Sequence, residues 1–210
     1  MCGILGVINY NFKIEKLRSS LNLMNHRGPD NQSDYNEGDI YLGHNRLSII
    51  DLDDRSNQPF INENMVLIYN GELYNYKELI IEHNLQVVTE SDTEVILSMY
   101  QKYGSNCLNF FNGMFSFIIY NITNKDVFIA RDRLGIKPLY YSNDGSKWIF
   151  CSEIASILNL VESDFDQFGI RQYKKLRMTI KGYTIYKNIK FFPPGYYMLN
   201  GKFYKYWDLD

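Results

Sequence analysis

Three cysteines and three histidines are all that this 210-residue chain carries, and their scarcity excludes several classes at once. Cys2, Cys107 and Cys151 are odd in number and widely spaced, with no Cys-x-x-Cys pair and no histidine cluster. Neither a disulfide scaffold nor a metal site is therefore expected, and a reducing, cytoplasmic setting fits best. Charge of one sign is lacking too: the formal net charge is −2, which gives no reason to expect nucleic acid or an anionic membrane surface as a partner. Long apolar runs are missing. Stretches such as Phe115 to Tyr120 are far too short to cross a bilayer, and the N-terminus lacks the basic start, apolar core and cleavage pattern of a secretory signal. A soluble intracellular protein is expected.

What is present is an ordinary globular composition, with 45% apolar, 16% aromatic and 22% charged residues. The length suits one well-cored domain over residues 1–210 and is small for two. Cys2 to Tyr10 reads as a buried strand, and Ile14, Leu17, Leu21 and Met24 recur at helical spacing up to the break at Gly28-Pro29. A polar loop is expected to about Asp39, then short strands at Ile40 to Leu42 and Leu47 to Ile50, and a loop over Asp51 to Pro59. Met65 to Tyr69 reads as a buried strand stopping at the turn pair Asn70-Gly71.

Tyr76 to His83 has a helical pattern, and Ser91 with Glu94 matches a capping box ahead of a second helix. Strands are expected at Gly113 to Tyr120, Val127 to Arg131, Leu139 to Ser142 and Trp148 to Cys151, then helices at Ile154 to Leu158 and Phe168 to Leu176. A last hairpin turns at Asn200-Gly201. Adjacent hairpins outnumber strand-helix-strand units, which predicts an α+β fold of mostly antiparallel sheets covered by helices.

The chemistry centres on Met1-Cys2-Gly3-Ile4. If Met1 is removed, the α-amine of Cys2 sits beside its own thiol; a free α-amine titrates near pH ~8 and a free thiol near ~8.5, so the amine can accept the thiol proton without a His or Asp partner. Taken alone, Cys2 reads more readily as a small hydrophobe opening a buried strand. Further along, His26-Arg27-Gly28-Pro29-Asp30, Arg46-Leu47-Ser48-Ile49-Ile50-Asp51, Asn70-Gly71-Glu72-Leu73-Tyr74-Asn75 and Ser91-Asp92-Thr93-Glu94 follow in order, then Arg131-Asp132-Arg133-Leu134-Gly135-Ile136-Lys137-Pro138 and Ser152-Glu153-Ile154.

This ordered set resembles the glutamine-hydrolysing asparagine synthetases, over most of the chain down to Tyr206-Trp207-Asp208. Other class II amidotransferases, those making glucosamine phosphate or phosphoribosylamine, share the Cys start but differ around the arginine and the loops. The resemblance implies a class II glutamine amidotransferase domain with the four-layer αββα fold of N-terminal-nucleophile (Ntn) hydrolases. It implies that Cys2 is the nucleophile and that Asn70 and Gly71 form the oxyanion hole. Arg46 would hold the α-carboxylate of L-glutamine and Asp92 its α-amine, with Glu72 a second acidic contact and Leu47, Ser48, Ile49 and Ile50 lining the pocket.

Each role has a plainer competitor: a surface salt bridge for Arg46, the first turn of a capped helix for Asp92, a hairpin turn for Asn70-Gly71. His26 and Arg27 would belong to a loop covering the pocket, His44 and His83 to the structure, and Arg131 and Asp132 to strand ends tied by an ion pair or caps. The basic stretch Lys174 to Lys181 reads as a docking surface or a solvated face.

In the family the released ammonia passes to an ATP-using domain that adenylates aspartate. No Ser-Gly-Gly-x-Asp-Ser loop for pyrophosphate occurs here, so the resemblance implies no cofactor for the glutaminase step, while ATP and Mg²⁺ would serve a synthetase domain or partner absent from this chain. Residues after about 200 would begin the link to it. The acceptor is open between aspartate and another carboxylate or a sugar, and a free-standing amidohydrolase is the remaining alternative.

Overall fold

A computed structural model describes residues 1–180 and 182–209. In chain order the strands and helices are β1 (Gly3–Ile8), α1 (Ile14–Asn22), β2 (Asn31–Glu37), β3 (Ile40–Arg46), β4 (Phe60–Asn62), β5 (Met65–Leu73), α2 (Tyr76–Glu82) and α3 (Asp92–Tyr103). They continue as β6 (Gly113–Asn121), β7 (Val127–Arg131), β8 (Tyr140–Asp144), β9 (Lys147–Cys151), α4 (Ile154–Leu160), α5 (Gln167–Leu176), β10 (Ile189–Phe191), β11 (Tyr196–Leu199) and β12 (Lys202–Lys205). One sheet has the order β10-β8-β9-β1-β3-β2 and the other β12-β11-β7-β6-β5-β4, with antiparallel pairing throughout.

Alternation of side chains along each strand explains why the sheets stack in four layers. Ile4 and Ile8 of β1, Ile40 and Leu42 of β3, Val66 and Ile68 of β5 and Ile118 and Tyr120 of β6 meet in one buried cluster between the sheets. The intervening residues point outward. Leu5, Val7 and Tyr41 pack against Leu17 and Leu21 of α1 and Ile157 of α4, while Leu67, Tyr69, Phe115 and Phe117 pack against Val95, Ile96 and Met99 of α3. The architecture is the expected α+β one.

Several local expectations are corrected. The segment expected as polar loop is the strand β2, paired with β3 from Asn31↔Arg46 to Glu37↔Ile40; as the edge strand of its sheet it needs no continuous apolar face, so its polar sequence hides it. Leu47 to Ile50 is not a strand. β3 ends at Arg46, level with the start of its partner β2, and the Ser48 N–H is taken by Asp30 Oδ2 at 2.7 Å.

Asn70-Gly71 is no turn either. β5 runs through it, pairing with β6 from Met65↔Asn121 to Leu73↔Gly113. Glycine is required there by crowding: a Cβ on Gly71 would lie 2.3 Å from Met114 O and 2.4 Å from Tyr69 Cε2. By contrast Asn200-Gly201 is a true turn, with φ of 48° and 82° that suit those two residues. The short strands β4 and β10 carry no clear pattern in the sequence.

The capping box forms by half. Ser91 Oγ accepts from Thr93 N at 3.2 Å, whereas the Glu94 carboxylate is taken by Val88 N, Thr89 N and Thr89 Oγ1 at 2.6 to 3.1 Å, so it organises the preceding loop. Arg131 and Asp132 act as caps and form no ion pair with each other within 4 Å. Asp132 accepts from the backbone N–H groups of Phe115, Leu134, Ile136 and Lys137 at 2.9 to 3.2 Å, and Arg131 donates to the carbonyls of Gly135, Lys137 and Phe192 at 2.5 to 2.8 Å. Lys174 and Lys175 are exposed on α5; Lys181 lies outside the described residues.

Candidate functional site

The inward rows of three strands terminate together at one end of the sandwich. On β3 the row Ile40, Leu42, His44 continues to Arg46; on β5 the row Val66, Ile68 continues to Asn70; and Cys2, two residues before Ile4, falls on the same side of β1. Alternation within the strands is thus what aims three chemistry-bearing side chains at one place. A cavity of about 190 Å³ lies there, lined by Cys2, Arg46, Leu47, Ile49, Ile50, Asn70, Gly71, Glu72 and Asp92, with Tyr69, Gln58 and Lys137 among the other lining residues. Of the residues expected to catalyse or to bind glutamine, Ser48 alone is not part of the wall, and His26 and Arg27, expected to cover the pocket, do not line it either. Ile49 is 70% exposed and stands at the rim.

Cys2 Sγ accepts from the Leu47 N–H at 3.4 Å and lies 3.8 Å from Leu47 O. Burial pushes the thiol pKa up, opposed by the Leu47 N–H, the charge of the N-terminal amine and Arg46. The residue is further tied down by Arg27, whose Nε donates to Cys2 O at 3.0 Å and whose Nη1 meets Glu153 Oε1 at 3.1 Å. His26 Nε2 lies 2.9 Å from the same carboxylate oxygen.

Asn70 is 1% exposed, and its side-chain oxygen and nitrogen both lack a hydrogen-bond partner among the described residues. A buried amide in that state is costly and is poised to donate to something that enters the cavity. Asp92 is fixed differently: Oδ2 accepts from Tyr69 Oη at 2.8 Å and from Leu73 N at 2.9 Å. Burial raises its pKa, those two hydrogen bonds lower it, and the neighbouring Glu72 raises it again.

Arg46 is 5% exposed and serves the adjoining loop. Its Nη1 donates to Asp53 O at 3.1 Å and Asn57 Oδ1 at 2.6 Å, and its Nη2 to the carbonyl of Asp51. The guanidinium thereby orders residues 50 to 57 beside the cavity.

Sequence reasoning missed Tyr69, Gln58 and Lys137. Tyr69 and Gln58 are linked, with Gln58 Oε1 accepting from Tyr69 N at 2.6 Å, and nothing in the sequence pairs them. Lys137 lies in a motif that had been quoted without a role. The two structural histidines sit apart from the chemistry. His44 Nε2 donates to Tyr69 O at 3.1 Å, and burial drives its pKa down to about 3; His83 Nδ1 meets Tyr103 Oη at 2.9 Å.

A larger cavity of about 690 Å³ opens at the opposite end of the sandwich, between Ile8, Ile40, Tyr120, Trp148 and Met198. It contains no cysteine and no unpartnered buried amide, so size does not select the site. Among the described residues no group of three or more His, Cys, Asp or Glu is placed to hold a metal ion, and no helix is long and apolar enough to cross a membrane.

Residues 1–207 match the family model described as glutamine amidotransferase domain. The chain belongs to that family. Membership makes it an enzyme domain of the glutamine-hydrolysing type. Among its relatives are a putative glutamine-hydrolysing asparagine synthetase of Methanocaldococcus jannaschii, 38% identical over 90% of this chain and 42% of that protein, and a glutamine-hydrolysing asparagine synthetase of Bacillus subtilis, 31% identical over 100% of this chain and 37% of that protein. The amidotransferase domain therefore spans less than half the length of these relatives. A solved glutamine phosphoribosylpyrophosphate amidotransferase of Bacillus subtilis superposes with a TM-score of 0.69 at 19% identity, over 98% of this chain and 49% of that one. At that identity it shows the shared Ntn-hydrolase fold, in agreement with the four layers described above.

Proposed function

We propose that Cys2, freed by removal of Met1, hydrolyses L-glutamine to glutamate and ammonia. The observation that carries the reading is the unpartnered, buried Asn70 amide in the wall of the cavity that holds Cys2 Sγ. The α-amine takes the thiol proton and the thiolate attacks the side-chain amide carbon. Negative charge then develops on the amide oxygen, where the Asn70 side-chain N–H and the Gly71 backbone N–H stabilise it. The C–N bond breaks as the α-ammonium returns its proton to the departing ammonia, leaving a thioester on Cys2. Water, deprotonated by the same amine, releases glutamate and restores the thiol.

Arg46 receives the α-carboxylate of the substrate by charge-assisted hydrogen bonds, and Asp92 with Glu72 receives its α-ammonium. Leu47, Ile49 and Ile50 shape the entrance; Ser48 contributes through its position in that loop. The length of the relatives supports an ammonia recipient beyond this domain: an ATP- and Mg²⁺-dependent synthetase domain or partner that amidates aspartate. The glutaminase step itself uses no cofactor, and a cytoplasmic setting suits its free thiol.

The test is ammonia and glutamate release from L-glutamine by protein whose intact mass shows Met1 removed. Cys2→Ala should abolish it. Undiminished release by Cys2→Ala would overturn the reading.

A further inference from the structure

Lys137 sits in the loop between β7 and β8, and its backbone is held from both sides: the N–H donates to Asp132 Oδ2 at 3.0 Å and the carbonyl accepts from Arg131 Nε at 2.8 Å. Leu139, two residues on, is buried in the core between the sheets. With its main chain fixed this tightly, the loop delivers Lys137 into the wall of the Cys2 cavity, where it is 5% exposed. Among the described residues no carboxylate lies within 4 Å of its Nζ. A largely buried lysine whose ammonium opens on a cavity and has no ion-pair partner is unfavourable.

The charges around Cys2 supply a reason. Arg46, across the cavity, shares its guanidinium among the carbonyls of Asp51 and Asp53 and Asn57 Oδ1. The α-amine becomes a cation only by taking the thiol proton, so it adds no positive charge to the cavity while the thiol and amine are both neutral. Asp92 and Glu72 on the same wall oppose a second negative charge. Lys137 is the cavity cation with no such engagement among the described residues.

We propose that Lys137 is a positioning residue acting through Cys2: its ammonium, held in the cavity wall, is the counter-charge that lets the buried thiol ionise. The assignment rests on the reading of Cys2 as the nucleophile. The charged and titratable groups that act on Lys137 are Cys2, Glu72, Arg27 and Asp132; burial pulls the ammonium pKa down, the Cys2, Glu72 and Asp132 charges push it back up, and the Arg27 cation adds to the fall. Coupling between two titrating sites is mutual, so the same interaction favours the thiolate, adding to the Leu47 N–H, the N-terminal amine and Arg46 that already oppose the effect of burial on Cys2.

The test measures alkylation of Cys2 by iodoacetamide against pH in Met1-processed protein without glutamine, read on the N-terminal peptide by mass spectrometry. Cys107 and Cys151 are fully buried and do not interfere. Lys137→Met and Lys137→Gln both remove the charge, and either one that keeps the parent's cooperative thermal transition suffices. The expected result is an alkylation midpoint raised by about one pH unit, which is about tenfold slower labelling below the midpoint, with Lys137→Arg restoring the parent profile. A folded neutral variant whose midpoint matches the parent's overturns the proposal, as does Lys137→Arg behaving like Lys137→Met. Because the readout needs no turnover, it separates this inference from the glutaminase reading, which is tested by ammonia release from Cys2→Ala.

Discussion

Cys2 and Asn70 belong to opposite sheets of the sandwich and line one cavity, the first as a thiol bonded to Leu47 N at 3.4 Å, the second as an amide with no partner among the described residues. The amide donor is idle in the free protein and acquires a partner only when an oxygen arrives beside the sulfur. Replacing it should therefore slow the chemical step more than it weakens substrate binding. Asn70→Ala is expected to lower kcat by about 10²- to 10³-fold, or ~3–4 kcal/mol in the transition state, with a small change in KM. Steady-state ammonia release measures both parameters, and a loss confined to KM would remove Asn70 from the oxyanion role.

Gly71 lies within a strand and not in a turn, and its substitutions distinguish the two. In a hairpin turn with positive φ, Asn would be an acceptable replacement and Ala a mildly strained one. In β5 the obstacle is the 2.3 Å approach to Met114 O, which any side chain meets. Gly71→Ala and Gly71→Asn should both destabilise the fold, by about 1–3 kcal/mol from overpacking. Chemical denaturation at fixed pH checks this; an unperturbed Gly71→Asn would restore the turn.

His44 makes stability fall in acid. Its folded pKa of about 3 lies below the ordinary 6.5, so between those values the unfolded chain binds a proton that the native state refuses. Stability is intact above about pH 6.5 and is lost progressively as pH falls toward 3, on the order of 5 kcal/mol from this residue. His44→Gln keeps an N–H donor for Tyr69 O and removes the titration. Its stability, measured by denaturant at several pH values, should decline less steeply than the parent's over that interval.

Asp92 should couple glutamine binding to protons. Its pKa is raised by burial, with Glu72 adding to the effect, and only the carboxylate can pair with the substrate ammonium. Glutamine affinity is expected to weaken as pH drops through that raised value and to be constant above it. Asp92→Asn retains an oxygen for Tyr69 Oη and Leu73 N, so it should fold normally, bind glutamine about tenfold or more weakly for want of a charged hydrogen bond, and lose the acid dependence. Calorimetric titration on the Cys2→Ala background measures each of these.

The sequence was most informative where alternation and turn chemistry agreed. The hairpin β8–β9, the turn at Asn200-Gly201 and the helices α1 to α5 follow from local pattern, whereas the extension of β3 to Arg46 and of β5 through Asn70 did not. It was least informative where backbone partners override side-chain pattern. β2 is polar because it is an edge, and β5 passes through Asn-Gly because β6 pairs with it over its whole length. Glu94 serves the loop before α3, accepting from Val88 N and Thr89 N, and no local pattern marks that partnership. For the site, the motifs named the residues, but not the part Lys137 plays in the wall, since a loop lysine has no periodicity to betray burial.

Covalent catalysis by Cys2 is checked by acid-quenching the Met1-processed protein during turnover with L-glutamine and locating any adduct by peptide mass spectrometry. A γ-glutamyl thioester is expected on the peptide that begins with Cys2, and none on protein that retains Met1. Full ammonia release with that peptide unmodified, or equal turnover by the Met1-retaining form, would contradict it.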